Sequence, residues 1–591
     1  MNNILNNFRK FRKTIFYDIF CYILAGVVSC LAFVPFHLTY LIWISPIGLF
    51  LLEVKYSGQY KKLFLHGVVI SLIICTLSFH WMNYMLVVFG NLPIVVAIFV
   101  FILYSIFFNL KIPLFLIIFS AINRKLGRHT IWSAGFSVLF SELLTYQIFP
   151  WYWGNAVAGH TILAQVVEFT GVIGLSFLLF VTSYTIFRLA RITFHPILSH
   201  KNRFILYLKF ASLPLFIFLT FWTAGFLLYN KWNTMQPVAK KKILMIQPDA
   251  PLEFRDGRFN ESMEKLMLRI EKLAIKGGEE LGKPDLIVLP ESGIPFFSAH
   301  NNQATTSFRP YYRYWFESMI YLLAVRFKSN VFFNEIDAKF KDGMISDEAR
   351  RFYNSSSLYD PNGNRRGSYQ KSFLVPFGEY IPMGEKFEFL YDIVPQIARF
   401  IPGSSLDLIT YYKNKTEVPL FEKPHLKWSD TSFLNLNQIK EYYMDRVSEV
   451  EEAGQFLPLI CYEVIVPSFV RKFYNGKMPD FIVNITNDKW YGDTIESYQH
   501  LELARLRSIE YRRWMVRSTN SGTSVYIDHL GRILNNIYTG LYESVYYSAE
   551  IKVIKSPPTF YVLYGDLLAY TYLGFSFLYY LNFILISKRK I

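Results

Sequence analysis

Apolar residues dominate two parts of this chain and interleave with polar ones in a third. From residue 14 to about 229 the sequence runs through repeated apolar stretches. From about 231 to 560 the two kinds of position alternate, and a last apolar run covers 564–587. A bilayer crossing needs about 20 apolar residues. That criterion picks eight stretches: 15–35, 38–54, 63–82, 92–110, 130–148, 161–187, 205–229 and 564–587, the second of them short. KIPLFLIIFSAI (111–122) is too short to cross alone. It is expected at the cytoplasmic interface or as an extension of the fourth stretch. The first run has a basic start but no A-x-A site after it, so it reads as an uncleaved span.

In the alternating part, KKKILMIQPDAP (240–251), DLIVLPES (285–292), SNVFFNEI (329–336), FLPLICYE (456–463) and DFIVNITND (480–488) predict strands. SSSLYDPNGNRRGSYQK (355–371) predicts strands around an Asn-Gly turn, and GTSVYIDHLGRIL (522–534) a hairpin turning at His529–Gly531. Residues 261–276 and 496–518 have helical spacing. Strands alternating with helices predict an α/β sandwich.

The chain is 52% hydrophobic with a mean hydropathy of +0.23, too apolar for an ordinary soluble protein of 591 residues. Charge orients it. Basic residues sit before the first stretch (Arg9, Lys10, Arg12, Lys13) and after the second (Lys55, Lys61, Lys62). They recur after the fourth (Arg124, Lys125, Arg128), after the sixth (Arg188, Arg191, Lys201, Arg203) and in the terminal KRKI. The intervening loops 80–93 and 149–161 have no Lys or Arg. By the positive-inside rule both termini are cytoplasmic and 231–560 lies outside. The net charge of +16 is therefore partly topological, and no nucleic-acid partner is expected.

Of four cysteines, Cys21, Cys30 and Cys75 lie in apolar runs and Cys461 alone in the polar part. The outer side of a membrane is usually oxidising, yet Cys461 has no disulfide partner in its own domain. It is either a small buried hydrophobe or a nucleophile. Glu291, at the end of DLIVLPE, is a base for that thiol or a carboxylate favoured at a helix N-terminus. Lys371, after its strand, is an oxyanion donor together with the N–H following Cys461, or a solvated lysine. Reactive groups at the ends of buried strands are where open α/β folds build sites. No metal cluster or nucleotide loop is visible, so no cofactor is expected.

Several pieces join these residues: LPES (289–292), YQKSFLVPFGEYIP (369–382), LICYE (459–463) and NITNDKWYGD (484–493). HLELARLRSIEYRRWMVRSTNSGTSVYID (500–528) and PPTFYVLYGD (557–566) follow. FVPF (33–36), FPWYWGN (149–155) and QVVEFTGVIGLS (165–176) precede them. In this order, over nearly the whole chain, they resemble the apolipoprotein N-acyltransferase family, bacterial membrane enzymes with a carbon–nitrogen hydrolase domain. The resemblance implies a nitrilase-like αββα sandwich inserted between the seventh and eighth helices of an eight-helix transmembrane domain. The boundaries expected are 1–230, 231–560 with an insertion at 404–455, and 561–591.

The resemblance further implies a Glu291–Lys371–Cys461 triad supported by Glu379, Tyr462 and Glu463. It implies a phospholipid acyl donor, a thioester on Cys461 and a diacylglyceryl-modified apolipoprotein acceptor. It also implies a monomer in the bacterial inner membrane with a periplasmic catalytic domain. The family's Trp after the first strand is missing, and Phe254 is the nearest aromatic. FEFLYDIVPQIARFIPG (387–403) is a lid, a lipid-facing loop or core packing. Two rival readings stay open: a membrane-anchored amidase that uses water as acceptor, and a transporter or receptor marked by Glu142 and Glu168 inside predicted spans.

Protease protection or cysteine accessibility in intact cells should find 231–560 outside and both termini inside. Cytoplasmic accessibility of 404–455 would refute the eight-span topology.

Overall fold

The computed structural model describes residues 12–126, 130–194, 199–251, 263–293, 310–340, 350–393, 399–416, 436–442 and 447–589. Phe254 lies outside them. The chain forms two compact units: residues 1–234, 498–510 and 559–591, and residues 235–497 and 511–558.

The first unit is helical. Five helices are long and apolar enough to cross a membrane: Ile15–Ala32, Tyr60–Ser78, Ile94–Leu126, Val167–Thr193 and His200–Asn233. Ile131–Leu144 is apolar but shorter. Stretch 38–54 divides into a 3-10 turn, Thr39–Trp43, and a helix, Ile47–Tyr56, capped by Pro46. Residues 111–122 fall in the helix Lys111–Leu126, which extends the fourth stretch. The chain closes on the helix Leu567–Arg589.

Aromatic rings fill this unit's core: Phe50 lies against Phe115, Phe119, Phe180, Tyr184 and Phe187. Polar anchors fix the FPWYWGN segment. Lys111 Nζ sits 3.2 Å from the centroid of the Trp151 ring and donates to Gln147 Oε1 at 3.0 Å. Glu142 Oε1 accepts the Trp153 N–H at 2.8 Å, and Glu168 Oε2 accepts the Trp232 indole N–H at 2.8 Å. Both carboxylates that the sequence puts inside predicted spans therefore have structural partners, as buried polar groups require.

The second unit holds eleven strands among its described residues: β1 (Ala239–Gln247), β2 (Leu286–Val288), β3 (Asn330–Phe340), β4 (Arg350–Tyr359), β5 (Arg365–Gln370), β6 (Ile409–Asn414), β7 (Val450–Ile460), β8 (Phe481–Thr486), β9 (Met515–Thr519), β10 (Val525–Ile527) and β11 (Val545–Val553). They make a six-stranded sheet, β11-β1-β2-β3-β4-β5, and a five-stranded sheet, β10-β9-β8-β7-β6. Each has a parallel centre with antiparallel flanks: β1, β2 and β3 in one, β7, β8 and β9 in the other. Parallel strands are covered on both faces, hence the apolar runs LIV in β2, FLPLI in β7 and FIV in β8. The helices Met263–Leu281 and Pro310–Phe327 share a core with β1, β2 and β3 through Ile270, Ile320, Ile246, Ile287 and Val331. The sheets meet face to face, with Phe332 edge-on to Phe456 at 5.0 Å and the Tyr526 hydroxyl donating to the Ile243 carbonyl at 2.8 Å.

The sequence pattern erred in places. The helix predicted over 496–518 ends at Tyr511, because Arg512 turns the chain at φ +52 and Met515–Thr519 joins β8 as a strand. β11, which completes the sheet beside β1, was not predicted. Within 404–455, Ile409–Asn414 pairs with β7, and β7 begins at Val450; 417–435 and 443–446 lie outside the described residues. The Asn-Gly turn is present at Asn362–Gly363, where Gly363 has φ +73 and any Cβ would strike Tyr321.

Candidate active site

Three strand ends supply the site. β2 stops at Val288, Leu289 still donates its N–H to Phe332, and Pro290 has no N–H to continue the ladder. The chain turns there, with Ser292 at φ +52, leaving Glu291 buried at the sheet's end. Lys371 follows β5, and its N–H donates to the Asn354 carbonyl in β4 at 2.8 Å. Cys461 follows β7 and opens the 3-10 turn Cys461–Ile465 at φ +53, in the left-handed region unusual for a side chain with a Cβ.

Glu463 holds that turn. Its Oε2 accepts the Ile460 N–H at 2.8 Å. Its Oε1 accepts the Tyr369 hydroxyl at 2.7 Å and the N–H groups of Ser372 and Phe373 at 2.8 and 3.0 Å. One carboxylate thus ties the strand that leads into Cys461 to the strand that leads into Lys371. Burial raises its pKa to about 7, against the pull of these donors. Tyr462 is buried, its ring stacked on Phe373 at 5.8 Å.

Lys371 is 1% exposed, which excludes the solvated reading. Its Nζ donates to Glu379 Oε1 at 2.8 Å and lies 3.6 Å from Glu291 Oε1. Glu379 Oε2 accepts the Val375 N–H at 2.8 Å. Asn354 Nδ2 donates to Glu291 Oε1 at 2.7 Å and to Glu379 Oε1 at 3.2 Å. Glu291 Oε2 is buried with no hydrogen-bond partner among the described residues.

The charges follow from this packing. Burial pushes the Glu291 carboxyl up, Lys371 opposes and Glu379 reinforces the shift. Burial works to lower Lys371, but the carboxylates of Glu379 and Glu291 outweigh it, so the ammonium stays charged above its ordinary range. Burial and the Glu291 carboxylate push the Cys461 thiol well up, while Lys371 and the Thr486 hydroxyl pull it down. The resting site is therefore a neutral thiol beside a carboxylate whose proton affinity is raised. That arrangement suits transfer of the thiol proton at the moment of attack rather than a standing thiolate.

All six residues singled out in the sequence lie in this one region. Sequence reasoning missed the buried amides. Asn354 carries the carboxylate contacts, Asn334 Nδ2 donates to Asn354 Oδ1 at 2.8 Å, and Asn484, held by Arg517 at 2.5 Å, donates to the Cys461 carbonyl at 3.5 Å. The available signal was the polar run NSSS (354–357), set between the apolar pairs Phe352–Tyr353 and Leu358–Tyr359 of one strand. Residues 394–398 of the 387–403 segment lie outside the described residues; Phe387 and Phe389 are exposed and Tyr391 is buried.

Two family models match the chain: carbon-nitrogen hydrolase over residues 255–567, and the apolipoprotein N-acyltransferase N-terminal domain over residues 25–185. The chain is 51% identical to apolipoprotein N-acyltransferase 2 of Leptospira interrogans serogroup Icterohaemorrhagiae serovar copenhageni, over 100% of this chain and 99% of that one. It is 30% identical to apolipoprotein N-acyltransferase 1 of the same species, serovar Lai, over 85% and 86% of the two chains. Among solved structures, a carbon-nitrogen hydrolase from Helicobacter pylori G27 aligns at 12% identity and a TM-score of 0.34, covering 53% of this chain and 90% of that one.

The Glu463 clamp is testable alone. An amide accepts through one oxygen only, so Glu463→Gln sets an NH₂ against at least one of four N–H or O–H donors. The variant should lose about 1–3 kcal/mol of stability, read by thermal unfolding in detergent, and its Cys461 should alkylate more slowly. Native stability and native alkylation would show that the clamp holds nothing.

Proposed function

The chain belongs to the apolipoprotein N-acyltransferase family, and on that premise we propose that it moves a fatty acyl group from a phospholipid to the α-amine of a lipoprotein's diacylglyceryl-cysteine. The observation that carries the reading is the meeting of Glu291, Lys371 and Cys461 at three strand ends. It occurs in a chain that also holds five helices able to cross a membrane.

In the first half-reaction Glu291 Oε2 takes the thiol proton while Cys461 Sγ attacks the ester carbonyl. Lys371 Nζ and the N–H following Cys461 hold the oxyanion. The tetrahedral adduct collapses and the C–O bond to the lysophospholipid breaks. The leaving alkoxide takes the proton from Glu291, and a thioester remains. In the second half-reaction the lipoprotein amine attacks that thioester. Glu291 takes its proton and returns it to the departing thiolate. Glu379 keeps Lys371 charged and aimed, and Tyr462 and Glu463 hold the turn that presents Cys461.

The wider reading places the catalytic domain, residues 231–560, on the periplasmic side of the inner membrane. That reading takes eight crossings, counting the shorter helices Ile47–Tyr56 and Ile131–Leu144 and the terminal Leu567–Arg589 with the five long ones.

Glu291 and Lys371 have different tasks, so their losses should differ. Glu291→Gln cannot accept the proton and should slow acylation and small-reagent alkylation of Cys461 together, by about 10²–10⁴-fold. Lys371→Met keeps the stem and removes the charge. Acylation should fall about 10²–10³-fold while alkylation, which builds no oxyanion, falls much less. Equal ratios of acylation loss to alkylation loss in the two variants would assign the oxyanion to backbone N–H groups alone.

A further inference from the structure

Glu291 and Glu379 both bring an oxygen to Lys371, at 3.6 and 2.8 Å. One ammonium does not neutralise two carboxylates, one of them buried and the other half-buried. The other donor they share is neutral: Asn354 Nδ2, at 2.7 and 3.2 Å.

The orientation of that amide is itself fixed. Asn334 Nδ2 donates to Asn354 Oδ1 at 2.8 Å. Asn334 is held in turn, because its Nδ2 also donates to the Ser355 carbonyl at 2.7 Å and its Oδ1 accepts the Ser292 N–H at 2.9 Å. Flipping Asn354 would set its carbonyl against Glu291 and its NH₂ against the NH₂ of Asn334. Ser292 is the residue after Glu291. The bonds therefore close a ring from the glutamate's own backbone, through Asn334 and Asn354, back to the glutamate's carboxylate. Both asparagines are buried.

We propose that Asn354 is a positioning residue: by filling Oε1 of Glu291 it leaves Oε2 as the oxygen that takes the Cys461 proton, and it keeps that carboxylate ionised beside Glu379. The proposal rests on the reading of Glu291 as the base. The groups that act on Glu291 are Lys371, Glu379, Asn354 and Cys461, with Tyr491 also in electrostatic reach. Of these, Lys371 and Asn354 favour its charged form and Glu379 opposes it. A donor to a carboxylate stabilises the ionised form, so its loss keeps the acid protonated to higher pH.

The test is the pH dependence of Cys461 alkylation by iodoacetamide on the full chain in membranes, read as peptide mass. In that step the S–H proton goes to Glu291, the sulfur pair forms the S–C bond and iodide leaves. Asn354→Ala should move the acid limb to higher pH. The rate should fall about 10- to 100-fold on that limb and recover as pH rises. Asn354→Asp keeps the shape, replaces the donor with a third carboxylate, and should move the limb at least as far. If Glu291→Gln abolishes the limb while both Asn354 variants keep it in place, with only a lower plateau, the positioning role is overturned. If Glu291→Gln itself keeps the native limb, the base assignment fails, and this proposal with it.

Discussion

A lysine at 1% exposure is the constraint on which the site depends. A buried ammonium is tolerated only when paired and hydrogen-bonded. Lys371 requires Glu379 at 2.8 Å, and the pair then sits beside a second carboxylate, Glu291. Two carboxylates around one cation leave a surplus negative charge in a low-dielectric pocket. Burial raises the proton affinity of Glu291 and of the Cys461 thiol; Glu379 adds to the first and Glu291 to the second, while Lys371 opposes both. The same arrangement makes Glu291 a stronger proton acceptor and keeps the Cys461 thiol neutral. Removing one partner of such a cluster costs more than the pair contributes, because an uncompensated charge is left behind.

The backbone serves this cluster. Each reactive side chain stands where a ladder ends: after Leu289, after Gln370 and after Ile460. The left-handed Cys461 is held by bonds on both sides, from the Ile460 N–H to Glu463 and from the Asn484 amide to the Cys461 carbonyl. Backbone strain of about 1–3 kcal/mol persists only where the surroundings over-determine it. A lipid-handling reaction also gains from a site on a membrane-spanning chain, since drawing an acyl chain into water costs about 0.8 kcal/mol per CH₂.

Much of this was legible in the sequence, for physical reasons. Spans follow from length and hydropathy, and the parallel strands from runs such as LIVL and FIVNI. Cys461, Glu291 and Lys371 stood out because reactive side chains stand at strand ends, the first two after apolar runs. Glu379, Tyr462 and Glu463 came only from the family resemblance, since a glutamate in a loop carries no signature of its partners. Asn354 is marked only by the polar run NSSS and Asn334 by nothing: neutral amides inside a strand leave no periodicity, and their meaning lies in which atoms they face. β9 was read as helix because its residues follow a strong helical run, and only pairing with β8 makes it a strand. Lys111 was passed over because one cation does not spoil an apolar stretch, although Trp151 and Gln147 surround it.

The account's central claim is a covalent acyl–Cys461 intermediate that waits for an amine. The direct measurement is the intact mass of the full chain in phospholipid membranes, before and after adding a lipopeptide with a free diacylglyceryl-cysteine amine. The account predicts a gain of one acyl group, mapped to the peptide containing Cys461. That acyl group should be stable in buffer and discharged by the lipopeptide, which appears N-acylated. No acyl gain, an acyl group elsewhere in the chain, or discharge to free fatty acid at the same rate without the amine would contradict it.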